Sequence, residues 1–302
     1  MRKRGIISIL LVLACLLSLG VYTAAADSAE SRAAVANVTP VVETVLLEDD
    51  IKTPADELDL TEGTTKTIRC DSYLTDANGY TDIVKANATL YHSTSSSGAV
   101  DDNNVHYTDG SCALNDGSGV HVAANCTFAV EYYADPGTWT CEVRATDQSD
   151  LTNTLTDTST MNTLTALSIP PLIDFGTLVV GTPSDIVNTT LVNNTGNEQI
   201  DISLDGYGVT DGDGYAMNCT SGTNPEIPIS NLRYNITAQN ESYTQMTSLT
   251  DTAFTETAFD LVQRTDDTTP AGAQKSLAFK FNVSGGAGGT CNGTVNIAAI
   301  SG

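Results

Sequence analysis

An all-β fold of two tandem β-sandwiches is predicted by three observations. Apolar and polar residues alternate with period two along most of the chain after residue 40. Helical periodicity is nearly absent there, and turn signals return roughly every ten residues, the rhythm of sandwich strands. Thr, Ser, Val, Gly and Asn dominate throughout. The break Ile169-Pro170-Pro171 divides this β region. The expected organisation is a leader at 1–26, a flexible segment at 27–40, a first sandwich at 41–167 and a second at 168–302.

The leader reads as a secretory signal. Arg2, Lys3 and Arg4 precede an apolar run from Gly5 to Tyr22, and Ala24-Ala25-Ala26 offers a small-residue cleavage site before Asp27. The run also has the length of a membrane span, so an uncleaved anchor is the alternative, and the only membrane contact expected. Cys15 sits in Val12-Leu13-Ala14-Cys15, but Leu16, Leu17 and Leu19 continue the apolar run and argue against a lipidated start.

In the first sandwich, strands are expected near Val41–Leu47, from Ile68 through Cys70 and Ser72, and along Val84, Ala86, Ala88 and Leu90. Val122, Ala124, Cys126, Phe128, Val130 and Tyr132 alternate with polar neighbours, as do Trp139, Cys141, Val143 and Ala145. With a last strand near Leu155–Leu164, this makes about seven strands. In the second sandwich the inward sets are Ile200, Ile202, Leu204, then Leu232, Tyr234, Ile236, then Leu277, Phe279, Phe281, Val283. A Gly-rich hairpin and Val295, Ile297 close the chain.

Charge narrows the partners. The chain carries 37 acidic and 13 basic residues, for a formal net charge of −24. Three of the bases lie in the leader. Such a surface repels nucleic acid and anionic lipid, and suits solubility, high salt or cation binding.

Catalytic signatures are absent from the sequence. There is no G-x-S-x-G and no C-x-x-C, and the chain is 6% aromatic, too little for an aromatic-lined glycosidase cleft. His92, His106 and His121 read as surface residues. Asp76-Ala77-Asn78-Gly79-Tyr80-Thr81-Asp82 places oxygen side chains at Asp76, Asn78 and Asp82 around a glycine turn. That arrangement could cradle Ca²⁺, although no glutamate completes an EF-hand, and the same residues make an ordinary Asx turn. No other cofactor is expected.

Ten N-x-S/T sequons occur. Asn87, Asn125, Asn235 and Asn282 fall on the outward phase of their strands, and Asn188, Asn193 and Asn240 are further candidates for glycosylation.

The run Asp135-Pro136-Gly137-Thr138-Trp139-Thr140-Cys141 resembles the D-x-G-x-Y-x-C strand of immunoglobulin-like domains. The resemblance covers about residues 40–166. It implies a corner fixed by the aromatic and an inter-sheet bridge from Cys141, with Cys70 on the right kind of strand to be the partner. Trp139 stands in place of the tyrosine, so an indole N–H must replace the hydroxyl tether. The family's strand-C tryptophan has no counterpart, since Trp139 is the single Trp.

The second half is more loosely similar to camelysin/TasA-like and WxL-type surface domains of prokaryotes. The similar segments are Gly176-Thr177, Asn193-Asn194-Thr195-Gly196-Asn197 and Thr269-Pro270-Ala271-Gly272 before the Leu277–Val283 strand. That likeness implies fibres or envelope attachment in a prokaryotic, archaeal-type surface protein. The camelysin peptidase label finds no H-E-x-x-H here.

Six cysteines follow the leader, an even number that reads as disulfides in an exported chain. Cys219 and Cys291 are alone in the second half. Cys112 and Cys126 flank the turn Asp116-Gly117-Ser118-Gly119. Cys70 and Cys141 remain, the pair that the immunoglobulin resemblance implies.

The expected function is a non-enzymatic extracellular structural or adhesive protein, such as a coat or fibre subunit. Its partners would be itself, other surface proteins or glycans. The alternatives are a secreted monomeric binding module for glycan or protein, and a pilin-like subunit, because Lys3-Arg4-Gly5 resembles an archaeal pilin processing site. N-terminal sequencing of the mature protein separates them: secretion predicts a start at Asp27, a pilin a start at Ile6.

Overall fold

Strands follow wherever the alternation is sustained, and every named pairing is antiparallel. The computed structural model describes residues 29–49, 57–185, 187–237, 241–266 and 270–302. The predicted leader lies outside the described residues. None of the described helices is long and apolar enough to cross a membrane. Residues 29–40 form no strand and are exposed up to Thr39.

The first eight strands are β1 (Val41–Glu48), β2 (Lys66–Thr75), β3 (Ile83–His92), β4 (His106–Asp109), β5 (Ala113–Ser118), β6 (His121–Val130), β7 (Gly137–Asp147) and β8 (Thr152–Met161). They form two four-stranded sheets, ordered β1-β2-β6-β5 and β4-β3-β7-β8. The alternation of β6 and β7 sends Val122, Ala124, Cys126, Phe128 and Val130 toward Trp139, Cys141, Val143 and Ala145, all buried in one cluster.

The sequence pattern failed at the start of β3. A register shift between Ile83 and Lys85 reverses the phase, so Ile83 is buried while Val84 is 54% exposed. An extra residue in one strand turns the following side chains to the other face. The additional short strand β4 brings the first-half count to eight.

The edge strands β1 and β8 meet through side chains. Asn153 Oδ1 accepts the N–H of Val42 at 2.9 Å, and Asp157 Oδ2 accepts that of Leu47 at 2.9 Å. Edge N–H groups that would template foreign strands are thereby satisfied internally.

The remaining strands are β9 (Leu167–Ser168), β10 (Asn188–Asn194), β11 (Ile200–Tyr207), β12 (Tyr215–Gly222), β13 (Glu226–Pro228), β14 (Leu232–Asn235), β15 (Thr247–Ser248), β16 (Phe254–Leu261), β17 (Gln274–Phe281), β18 (Ala287–Asn292) and β19 (Thr294–Ser301). Their sheets run β15-β14-β17-β10-β9, β16-β11-β19 and β13-β12-β18. Ile200, Ile202, Leu204, Phe259, Leu277, Phe279 and Phe281 anchor a second buried cluster.

Each half thus has its own apolar core, yet residues 38–302 form one compact unit. The joint is polar and buried. Asn197 is fully buried; its Nδ2 donates to the carbonyls of Ala134 and Asn162 at 3.1 Å each, and its Oδ1 accepts the Leu164 N–H at 2.7 Å. Gly196 must be glycine, because a Cβ there would lie 1.9 Å from the Leu164 carbonyl oxygen. Gln263 Nε2 donates to Asp135 Oδ1 at 2.7 Å, and the Arg264 guanidinium lies 5.3 Å from the centre of the Tyr133 ring.

Asn197→Ala leaves two carbonyls and one N–H at this joint without their partner. The expected cost is about 2 kcal/mol, since buried polar groups lose water and gain nothing. Calorimetry should show one unfolding transition in the parent and a lower, broadened or split transition in the variant.

Candidate functional site

The acidic group at one end of the first sandwich is built by two connections. The β2–β3 connection supplies Asp76 and Asp82, and the end of β7 supplies Asp147. One carboxylate oxygen from each lies within 4.8 Å of the others. The backbone brings them there through a short 3-10 turn at Tyr80–Asp82, entered through Gly79 at φ 116°, a conformation suited to glycine. Asp82 N–H donates to the Gly79 carbonyl at 2.9 Å. Gln148 then locks the turn to the β7–β8 hairpin, donating from its N–H to the Asp82 carbonyl at 2.9 Å and from Nε2 to the Thr81 carbonyl at 3.1 Å.

Asp76 is 1% exposed and Asp147 fully buried. Asp147 Oδ1 accepts the N–H groups of Ser149 at 2.8 Å and Leu151 at 2.9 Å, shaping the hairpin. Asp76 Oδ1 accepts the Asn78 N–H at 2.7 Å. The second oxygens, Asp76 Oδ2 and Asp82 Oδ2, are shielded from solvent and have no hydrogen-bond partner. Desolvation, followed by the charges of Asp76 and Asp147, raises the Asp82 pKa above the ordinary carboxylate value.

The structure therefore brings Asp76 and Asp82 together and replaces Asn78 with Asp147. Asn78 Oδ1 instead accepts the Val38 N–H at 2.8 Å. Asp147 lies 65 positions beyond Asp82, and only the pairing of β3 with β7, Ile83 opposite Asp147, makes them neighbours. A signal existed in retrospect: Asp147 ends a strand at an Asp-Gln-Ser-Asp turn. The sequence Asp211-Gly212-Asp213-Gly214 is a different device. Asp213 accepts backbone N–H bonds from Val209, Thr210, Tyr215 and Gly208, which hold its carboxyl well below the usual range.

The six cysteines of the described residues are all joined: Cys70–Cys141, Cys112–Cys126 and Cys219–Cys291. The first bridge links the two sheets of the first sandwich. Beside it, Trp139 Nε1 donates to the Asp135 carbonyl at 2.8 Å, the tether that the immunoglobulin resemblance required of an indole.

The histidines depart from the surface reading. His92 is buried edge-on against Trp139, and His106 is fully buried with Nδ1 3.0 Å from Asp101 Oδ1. His121, half-buried, stacks on Tyr73. No histidine joins a metal-capable group among the described residues.

Asn87 and Asn188 are half-exposed on β3 and β10. Asn125 is engaged: its Nδ2 donates to Asp71 Oδ1 at 2.6 Å, and its Oδ1 accepts from Asn115. Asn193 Nδ2 reaches Ser168 Oγ at 3.3 Å, and Asn235 Nδ2 donates to Glu241 Oε2. The Oδ1 atoms of Asn193 and Asn282 are shielded from solvent. Asn240 lies outside the described residues.

A cleft of about 500 Å³ opens in the second half, lined by Leu172, Phe175, Leu178, Val180, Met217 and Val283 among others. Phe175 packs against Phe281 at its base, ring centres 5.4 Å apart.

No protein-family model and no curated protein matches this chain. Among solved structures it is similar, at 10% identity and a TM-score of 0.30, to a chain from a chaperone–tip adhesin complex of CFA/I fimbriae biogenesis, with 88% of this chain and 81% of that one covered. The C-terminal domain of the Streptococcus agalactiae AgI/II polypeptide BspA aligns at 10% identity and a TM-score of 0.27, covering 87% of this chain and 96% of that one. A carbohydrate-binding module of the β-sandwich superfamily aligns at 10% identity and a TM-score of 0.24, covering 88% and 97%. Superpositions this loose assign neither family nor activity.

The Cys70–Cys141 bridge spans 71 positions. Replacing both cysteines by alanine removes a cross-link whose chain-entropy contribution is about 4 kcal/mol, less any relief of native strain. Urea unfolding should show a lower midpoint of that order, with the other two bridges intact.

Proposed function

We propose that this chain is a non-enzymatic, exported surface protein with a structural or adhesive role, and that it assembles with itself. The observation that carries the reading is the set of three cystines, each closed within one β-rich half. Such bridges persist in oxidising surroundings outside the cytoplasm. A net charge of −24 keeps such a surface soluble and turns nucleic acid away, which leaves proteins and glycans as partners. N-glycans on half-exposed positions such as Asn87 and Asn188 fit the same setting.

The segment before β1 favours assembly. Val35 and Val38 are exposed β-formers, and β19 lies at the edge of its sheet. An extended segment from one copy can add as a strand to the edge of another. A second reading, a monomeric binding module, is favoured by the cleft around Phe175, which has the size of a small-ligand site.

Light scattering on the purified mature protein from micromolar to millimolar concentration decides. Assembly predicts mass rising with concentration and lost on deletion of residues 27–40. A constant monomer mass favours the binding module, and unchanged assembly after the deletion rejects the strand-exchange route.

A further inference from the structure

The acidic cradle at the β2–β3 connection leaves two buried carboxylate oxygens unsatisfied, Asp76 Oδ2 and Asp82 Oδ2. We infer that Asp76, Asp82 and Asp147 bind one Ca²⁺ ion, which ties the β2–β3 connection to the β7–β8 hairpin.

Two independent observations carry this. The first is convergence: three carboxylate oxygens from two separated connections lie within 4.8 Å of one another. Oxygens bound to calcium at about 2.4 Å are at most about 4.8 Å apart across the ion, so three oxygens this close can share one ion with small side-chain adjustments. The second is the unpartnered Asp76 Oδ2. Asp76 is 1% exposed, and this oxygen has neither water access nor a donor. Asp82 Oδ2 shares that condition. A buried anionic oxygen with no partner is costly, and a cation supplies what the protein does not.

The donor set selects the class of ion. All three ligands are hard oxygens, and no cysteine or histidine belongs to the group. That argues against a zinc- or copper-type site and favours calcium, whose loose geometry accepts further carbonyl or water oxygens. The backbone is already fixed for the purpose. Gln148 holds the 3-10 turn against the hairpin, and Asp147 uses Oδ1 to shape its own turn. The ion would bridge the two sheets, since Asp76 follows β2 while Asp82 and Asp147 border β3 and β7.

The inference stands apart from the proposed assembly. Its test uses the full mature chain, freed of metal with chelator and examined as a monomer at low concentration. Thermal unfolding is followed with CaCl₂, MgCl₂, or NaCl at matched ionic strength, and binding of CaCl₂ is measured by calorimetric titration. Calcium at about a hundredfold over its Kd should raise Tm by about 5–10 °C with a stoichiometry near one.

Asp147→Asn keeps the Oδ1 acceptor that shapes the hairpin and removes charge, so it should fold and lose most of the calcium shift. Asp82→Asn should do the same without touching that turn. Asp211→Asn, an exposed change elsewhere, should keep the shift. An absent calcium effect in the parent, an undiminished shift in both cradle variants, or an equal shift with Mg²⁺ would each overturn the assignment.

Discussion

The first sandwich turns on the column where Trp139 and the Cys70–Cys141 bridge fill the space between its sheets. All three residues are fully buried. The indole is gripped at its rim by the Asp135 carbonyl and on its sides by His92 and Tyr107, with ring centres 5.7 and 6.0 Å away. A side chain of this size, placed by a hydrogen bond to a turn four residues back, fixes the spacing of the sheets and the entry of β7 together. Gly137, at φ 127°, is the joint that allows it; a Cβ there would lie 2.9 Å from His92 Nε2.

Asp135 extends that constraint beyond its own half. Its carbonyl holds Trp139, and its carboxylate accepts from Gln263 in the second half and, at 3.4 Å, from Asn104, whose Nδ2 also reaches the Arg264 carbonyl at 3.3 Å. Asn197 makes the reciprocal connection from the second half into Ala134 and Asn162. Among the described residues the two apolar clusters are separate, and amide side chains, backbone and the Arg264–Tyr133 contact cross between them. Such a joint is directional: hydrogen bonds fix one relative placement, whereas apolar contact alone would tolerate sliding.

The charge distribution gives the opposite end of the first sandwich, where β7 finishes at Asp147, a different character. A chain with 37 acidic residues has many solvated carboxylates, and most need no explanation. Asp213 shows the self-sufficient case, an aspartate satisfied by four backbone N–H groups. The Asp76, Asp82 and Asp147 group shows the opposite case, where burial and convergence leave oxygens unanswered. Burial and partner count, rather than acidity, separate the two.

The fold class was legible in the sequence because burial on one face of a strand writes itself as alternation; β6 and β7 are plain cases. The Trp139 tether followed from the Asp135–Cys141 run. What the sequence could not fix was phase and long-range proximity. The bulge after Ile83 moved Val84 to solvent, since one inserted residue leaves composition unchanged while reversing every direction after it. His92 and His106 proved buried because packing neighbours, not residue type, decide burial. Asp147 joined Asp76 and Asp82, and Asn78 left them, through strand pairing alone. Alternation is a local property of the chain, but a three-carboxylate cradle and a buried amide joint exist only once distant strands are set in register.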